Sequence, residues 1–283
     1  LSIRDPSEVH MCPAKVVDGV TRGFVIPIGG AEERKSDPAI LKRFVELSGG
    51  KAAVIVIIPT ASKLADTGAN YEQVFLELGA HQAVSLAISS RDDAARADYL
   101  ELLQQATGIF ITGGNQLRLS TIIGGTPVAQ AIRKLNAGGV HVAGTSAGAA
   151  IMPEHMIAGG PTGALPNEQG VTFAPGLGLI NKVLLDQHFS QRNRLGRLLS
   201  AVSYNPFASG LGICEDTAAF IGPDDMLEVV GSGSITVVDP SGLKHSSMAD
   251  ARIGEAITLI GLTLHMLSSG AKFDLNTREA FPK

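Results

Sequence analysis

Short apolar runs alternating with longer amphipathic stretches constrain this chain more than any other feature. The runs are Phe24–Ile28, Ala53–Ile58, Ala83–Ile88, Gly108–Thr112 and Val140–Gly144. Between them lie helix-like segments. Pro38–Leu47 sets Ile40, Leu41, Phe44, Val45 and Leu47 near one face, with Asp37 as a plausible N-cap. Tyr71–Leu78 and Asp98–Gln105 read the same way, as does Pro127–Asn136, where Thr126 caps and Pro127 occupies the first turn. The pattern is that of a parallel sheet covered by helices.

After about Leu211 the pattern changes. Gly212–Cys214, Ala218–Ile221, Leu227–Val230 and Ser234–Val238 are short β runs divided by Gly, Pro and Asp. They read as an antiparallel extension of the sheet, meandering through Gly222–Asp225 and Gly231–Gly233. No low-complexity linker and no internal repeat interrupts residues 1–283, which read as one α/β domain: a doubly wound, mostly parallel sheet with an antiparallel C-terminal extension. Gly159–Gln169, rich in Gly, Pro and polar residues, is expected to be a long loop, either a lid or plain surface.

Composition narrows the function. With 283 residues, 45% of them apolar, the chain can bury one large core. The formal net charge of -4, with 18% charged residues, offers no basic face to nucleic acid. Trp is absent and aromatics are 5%, which argues against a stacking platform for single strands. The longest apolar runs, such as Ala52–Ile58, fall well short of the roughly 20 residues a membrane helix needs, so no membrane partner is expected. The first twenty residues show no secretory pattern, and Cys12 and Cys214 do not make a disulfide scaffold, so reduced thiols and a cytoplasmic location are expected. The chain opens on Leu1 rather than Met, which leaves room for a preceding segment.

The strongest local signal is Gly144-Thr-Ser-Ala-Gly148, delivered by a β run and followed by the helix-forming Ala149–Met152. A G-x-S-x-G sequence in that setting makes a sharp strand-to-helix turn that lifts the Ser146 hydroxyl to the sheet's carboxyl edge. A Cβ at either flanking glycine would collide with a neighbouring element. The helix start also offers backbone N–H groups and a positive dipole end where an oxyanion develops. A Gly-rich turn that only packs tightly is the plain alternative. Phe110-Ile-Thr-Gly-Gly-Asn-Gln116 follows the same logic: Gly113 or Gly114 could supply one oxyanion donor, and the Ala147 N–H the other, unless it is only a structural turn.

A serine needs a base, usually His, held by a third polar group. Of seven histidines, His10 and His245 lie in polar segments and His81 follows the Gly79-Ala80 turn. His141 is inside the strand leading to Ser146, and His155 and His265 sit beside methionines, where a satisfied core histidine is the better reading. His188 differs: it ends the apolar run Val183–Leu185 among polar residues, at what is read as the same sheet edge as Ser146. For the acid, Glu215 is preferred over Asp216, whose ordinary role is a strand cap. The order Ser, His, acid disfavours an α/β-hydrolase esterase, which runs Ser, acid, His. Arg192, Arg194 and Arg197 suit a substrate bearing carboxylates. On sequence alone, a solvated helix face pairing with nearby acids explains them slightly better.

Together these pieces resemble the cyanophycinases, serine peptidases related to the α-aspartyl dipeptidases. The matching stretches are Ile28-Gly-Gly-Ala-Glu32, Thr112-Gly-Gly-Asn-Gln-Leu-Arg-Leu119, Ala143–Ala150, Met156-Ile-Ala-Gly-Gly160, Asp186-Gln-His-Phe189 with Arg192-Asn-Arg194, Gly212 with Glu215-Asp-Thr217, and Ala280-Phe-Pro282. The resemblance implies a class I glutamine-amidotransferase-like (flavodoxin-like) fold, a homodimer, no cofactor and no metal. It also implies an exopeptidase that removes β-Asp-Arg dipeptides from cyanophycin, an arginine-bearing polyaspartate. Ser146 would attack, His188 relay the proton and Glu215 orient it, while Gln116, Asp186, Gln187, Arg192, Arg194 and Arg197 would line the pocket. An α-aspartyl dipeptidase or another acidic-peptide hydrolase is the alternative on the same scaffold. Glu33 and Cys214 stand where the family often has Asp, and Asn115 where an acid often precedes Gln116, which bears on substrate preference rather than chemistry.

Overall fold

The computed structural model describes residues 12–283. His10 lies outside the described residues.

The sheet-forming runs fold as their composition dictates. Strands β1 (Val25–Ile28), β2 (Val54–Ile58), β3 (Gln82–Ser85), β4 (Gly108–Ile111) and β5 (His141–Thr145) pair in parallel in the order β1-β5-β4-β2-β3. Helices cover both faces. On one side α1 (Ala39–Leu47) and α2 (Thr67–Glu77) bury Leu41, Phe44 and Phe75 against Ile26, Ile28, Ile55 and Phe110. On the other, α3 (Ala97–Gln104), α4 (Gln116–Ile123), α5 (Pro127–Ala137) and α6 (Ala147–Ala150) pack Leu103, Leu119, Ile132 and Ala147 against Val56, Ile58, Ile109 and Val142. Alternate residues of each strand feed opposite clusters, as the period of two requires.

Several boundaries differ from the sequence reading for identifiable reasons. Asp37 does not cap α1: Pro38 occupies that position, without a side-chain cap bond. Thr126 does cap α5, accepting from the Ala129 N–H at 3.4 Å. The run Ala83–Ile88 is strand only to Ser85; Leu86 and Ile88 still bury fully while the backbone has left the ladder. Helix α4, unmarked by the sequence reading, begins where Asn115 Oδ1 accepts the Arg118 N–H at 2.9 Å. A hairpin of β6 (His155–Gly159) and β7 (Thr172–Pro175) brackets the long loop expected at Gly159–Gln169.

The C-terminal strands divide between two sheets rather than extending one. After β8 (Val183–Gln187) and helix α7 (Leu195–Tyr204) come β9 (Ser209–Ile213), β10 (Thr217–Ile221), β11 (Met226–Gly231) and β12 (Ser234–Asp239). A small pair, β13 (His245–Ser246) and β14 (Leu259–Ile260), precedes β15 (Thr263–Ser268), β16 (Lys272–Asp274) and β17 (Ala280–Phe281). Strands β10, β11, β16 and β17 do extend the main sheet antiparallel from β1. Strands β8, β9, β12 and β15 form a second, four-stranded sheet among the described residues. The Gly222–Asp225 turn is a hairpin as expected, whereas Gly231–Gly233 carries the chain between sheets. Gly231 makes that crossing at φ +119°, where a Cβ would lie 2.1 Å from the Asp216 carbonyl oxygen. None of the described helices is long and apolar enough to cross a membrane.

Candidate active site

The turn from β5 into α6 has the strained geometry its sequence implies. Ser146 sits at φ 53°, ψ −109°, a conformation a non-glycine residue holds only when its surroundings impose it. The imposing contacts are backbone on backbone. A Cβ at Gly144 would come within 2.6 Å of the Gly148 oxygen, and one at Gly148 within 2.1 Å of the Ile111 oxygen. Both glycines are therefore required, and the serine is lifted clear of the sheet.

His188 Nε2 lies 2.9 Å from Ser146 Oγ, and His188 Nδ1 lies 2.6 Å from Glu215 Oε1. An ionised carboxylate only accepts, so Nδ1 carries the ring proton and Nε2 presents a lone pair to the serine hydroxyl. His188 and Glu215 do not come from the Ser146 sheet, as the sequence reading supposed. They follow β8 and β9 of the second sheet. What brings them to Ser146 is the end of β1: the Ile28, Gly29 and Gly30 carbonyls accept from the N–H groups of Ser146 (3.0 Å), His188 (2.8 Å) and Asp216 (2.9 Å), respectively. One short stretch of backbone thus registers all three loops. His188 and Asp216 both have φ 48°, so each turn is as constrained as the one at Ser146.

Gly30 was missed as a site residue except as part of a matching stretch. At φ +104°, it has space for no side chain: a Cβ would fall 2.3 Å from His188 Cε1 and 2.5 Å from Nε2. The imidazole is seated on bare backbone. Burial of the ring pushes its pKa below the ordinary value of 6.5, and hydrogen bonding to Glu215 offsets this only in part. Burial thus favours the neutral ring.

Glu32 also escaped the residue-by-residue reading. Buried at 4% exposure, it accepts hydrogen bonds from Tyr71 (2.5 Å) and Thr145 (2.5 Å), the residue before the nucleophile, and pairs with Arg34 at 3.4 Å. Arg34 lies over the Tyr71 ring, 4.4 Å from its centroid. Burial and the facing Glu32 carboxylate raise the Tyr71 pKa far above its usual value, so the phenol stays a donor. The signal was present in the sequence only as an acid shortly after a strand-ending glycine pair.

The remaining predicted residues separate into two groups. Gly113 lies beside the nucleophile: a Cβ there would sit 3.3 Å from Ser146 Cβ. Among the described residues, neither the Gly113 nor the Ala147 amide donates to another backbone oxygen. Gly114 instead packs on the Ala61–Ser62 backbone. Asp186, Gln187, Arg194 and Arg197 do not form an open row. They are buried together, with Asp186 bonded to Arg197 at 2.7 and 2.5 Å and to Arg194 at 3.3 Å, and Gln187 Oε1 accepting from Arg194 at 2.7 Å. Burial lowers the Arg194 pKa to about 10, against the pull of Asp186, and leaves it charged at neutral pH. Arg192 is exposed and makes no ion pair among the described residues. Gln116 is half-buried, its amide donating to the Ala158 oxygen at 2.9 Å.

The other histidines stand apart from this centre. His155 is exposed, not a core residue as expected, because β6 turns that side chain outward; His265 is half-buried against Phe273. Cys12 and Cys214 are free thiols. The Cys214 thiol is hydrogen-bonded to Ser190 and Ser234, and Glu33 Oε1 caps the amides of Arg34, Lys35 and Ser36. Among the described residues, no cluster of three or more His, Cys, Asp or Glu side chains is disposed to hold a metal.

Residues 24–229 match peptidase family S51. The chain is 44% identical over 264 residues to a cyanophycinase from Trichormus variabilis, covering 93% of this chain and 89% of that one. It is 41% identical over 260 residues to a cyanophycinase from Geminocystis herdmanii, covering 91% of this chain and 96% of the relative. Among solved structures, a peptidase from an acI-B1 actinobacterium superposes with a TM-score of 0.68 at 21% identity over 90% of this chain and 98% of the other, a likeness of fold.

Proposed function

The chain belongs to peptidase family S51 and is a hydrolase, and from that premise we propose that it degrades cyanophycin as a serine-type exopeptidase, releasing β-Asp-Arg dipeptides. Ser146 Oγ attacks the backbone carbonyl of the polyaspartate chain as His188 Nε2 takes its proton. The resulting oxyanion is met by the Ala147 and Gly113 amides. His188 then returns the proton to the leaving amine, and water repeats the sequence to free the acyl group. Glu215 holds the ring in the productive tautomer and offsets the imidazolium charge.

The observation that carries this reading is the hydrogen-bonded chain from Ser146 through His188 to Glu215, at 2.9 and 2.6 Å, in a chain similar to cyanophycinases along nearly its whole length. Each repeat of the polymer carries a carboxylate and a guanidinium. Arg192, exposed and unpaired among the described residues, suits the carboxylate. Asp186, Arg194 and Arg197 brace the His188 turn from within, a positioning role rather than the direct substrate contact first expected of them. Incubating the purified protein with insoluble cyanophycin tests the proposal. Soluble β-Asp-Arg should accumulate with the native protein and not with Ser146→Ala. Soluble acidic dipeptidase activity without polymer release would favour the α-aspartyl dipeptidase alternative.

A further inference from the structure

Beside the centre, at the carboxyl ends of β2 and β3, lies a recess of about 520 Å³ that the mechanism above does not use. Its two charged lining residues are both basic. Lys63 and Arg118 line it together with Thr60, Ser62, Ser85 and Ser89, and no acidic side chain is among the lining residues. The acids bonded to its serines, Glu72 on Ser85 and Asp93 on Ser89, are likewise not among them. Arg118 is pre-set: its Nε donates to the Thr60 oxygen at 3.0 Å, while its terminal nitrogens meet no acceptor among the described residues. A guanidinium fixed by one nitrogen and open at the other two suits bidentate capture of a carboxylate.

Thr60, which lines the recess, is 3% exposed, and its Oγ1 is buried without a hydrogen-bond partner among the described residues. Gly68 and Ala69, in the first turn of α2, also border the recess, and Asp66 at the N-cap makes no side-chain cap bond to that turn. The recess adjoins the nucleophile through the Gly113-Gly114 strap. Gly113 backs onto Ser146, whereas a Cβ at Gly114 would lie 2.1 Å from the Ala61 oxygen and 2.7 Å from the nitrogen of Ser62, a lining residue.

We propose that this recess is a distal subsite that binds a carboxylate of the chain being cut, beyond the two repeats that flank the bond at Ser146. The proposal rests on the polymer reading given under Proposed function and deepens it: the enzyme grips a chain, not merely a terminal unit.

The test uses Arg118→Gln and Lys63→Ala, with Arg118→Lys as a rescue. Steady-state kinetics are compared on the polymer and on a two-repeat fragment too short to reach the recess. Arg118→Gln should lower the ratio of kcat/KM for polymer to that for fragment by about tenfold, the scale of one hydrogen bond to a charged group, with the change in KM. Arg118→Lys should restore part of it. An equal loss on both substrates, or no loss on either, overturns the proposal. A binding arm separates this outcome from failure of the polymer reading. Poly-L-aspartate should raise the melting temperature of Ser146→Ala protein and do so less when Arg118→Gln is added, whereas succinate at equal carboxylate concentration should not. If the native protein cut neither substrate, the polymer reading would fall while the poly-L-aspartate shift still decided the recess. An undiminished shift in the Arg118→Gln background would dismiss it.

Discussion

A glycine at position 30 is what lets the imidazole of His188 lie where it does. The ring occupies the volume that a side chain would claim, and the carbonyls of Ile28, Gly29 and Gly30 hold the loops of Ser146, His188 and Asp216, so the backbone cannot yield without moving them. Gly30→Ala should therefore displace the base rather than unfold the protein. A misplacement of about 1 Å costs on the order of 10²-fold in rate, and kcat on the polymer should fall by about that factor while the secondary structure by circular dichroism is kept. Native kcat in the Gly30→Ala variant would refute the packing argument. Protonation follows from the same burial. With the His188 pKa pressed below 6.5 by desolvation, the ring is more than half neutral at pH 6.5, and half-loss of activity should come only at lower pH, as imidazolium forms. The acidic limb of kcat/KM, which reports the free enzyme, should have its midpoint below pH 6.5. Glu215→Gln, which removes a partner favouring the charged ring, should move it lower still. A limb centred above 6.5 would contradict the assignment.

At the scale of elements, the site is built where two sheets exchange strands. The chain crosses from β9 to β10 at Cys214–Asp216 and from β11 to β12 at Gly231–Gly233, and Glu215 sits on the first crossing. The turn after β8, which carries His188, is stiffened beneath by Asp186 clamped between Arg194 and Arg197. Removing one partner leaves a buried carboxylate with a single long contact, so Arg197→Leu should cost about 3–5 kcal/mol of stability. Urea unfolding measures it, and a loss below about 1 kcal/mol would mean that the cluster is not acting as a brace. Strand and helix positions in the parallel half were legible because each run has one consistent environment, buried on both faces for Val54–Ile58 and on one stripe for Ala39–Leu47. The sorting of β9 and β12 into a second sheet was not legible, because their patterns of short apolar runs match those of β10 and β11. Only long-range pairing distinguishes them. Helix α4 has little signature of its own in the sequence, because its Asn115 cap follows directly on the Gly113-Gly114 turn.

For the molecule as a whole, the sequence carried the chemistry further than the architecture. Ser146, His188 and Glu215 were each chosen from local context, a strand-to-helix turn and two polar strand ends, and the fold brings their side chains into one hydrogen-bonded chain. Glu32 and Gly30 were not found individually, because their roles exist only in contacts across the fold: Glu32 with Thr145 and Tyr71, Gly30 with the His188 ring. The arginines show the reverse limit. Their number suggested carboxylate binding, but sequence spacing could not say that Arg194 and Arg197 turn inward to Asp186 while Arg192 faces solvent.

The central claim is that the backbone at the end of β1 gathers three loops so that a serine alcohol becomes a nucleophile. Treating the protein with a fluorophosphonate and locating the adduct by peptide mass spectrometry tests it most directly. A single adduct on Ser146 is expected, formed at least about 10²-fold more slowly in His188→Ala, the scale of lost general-base assistance. Modification at another residue, or an unchanged rate without the imidazole, would contradict the account.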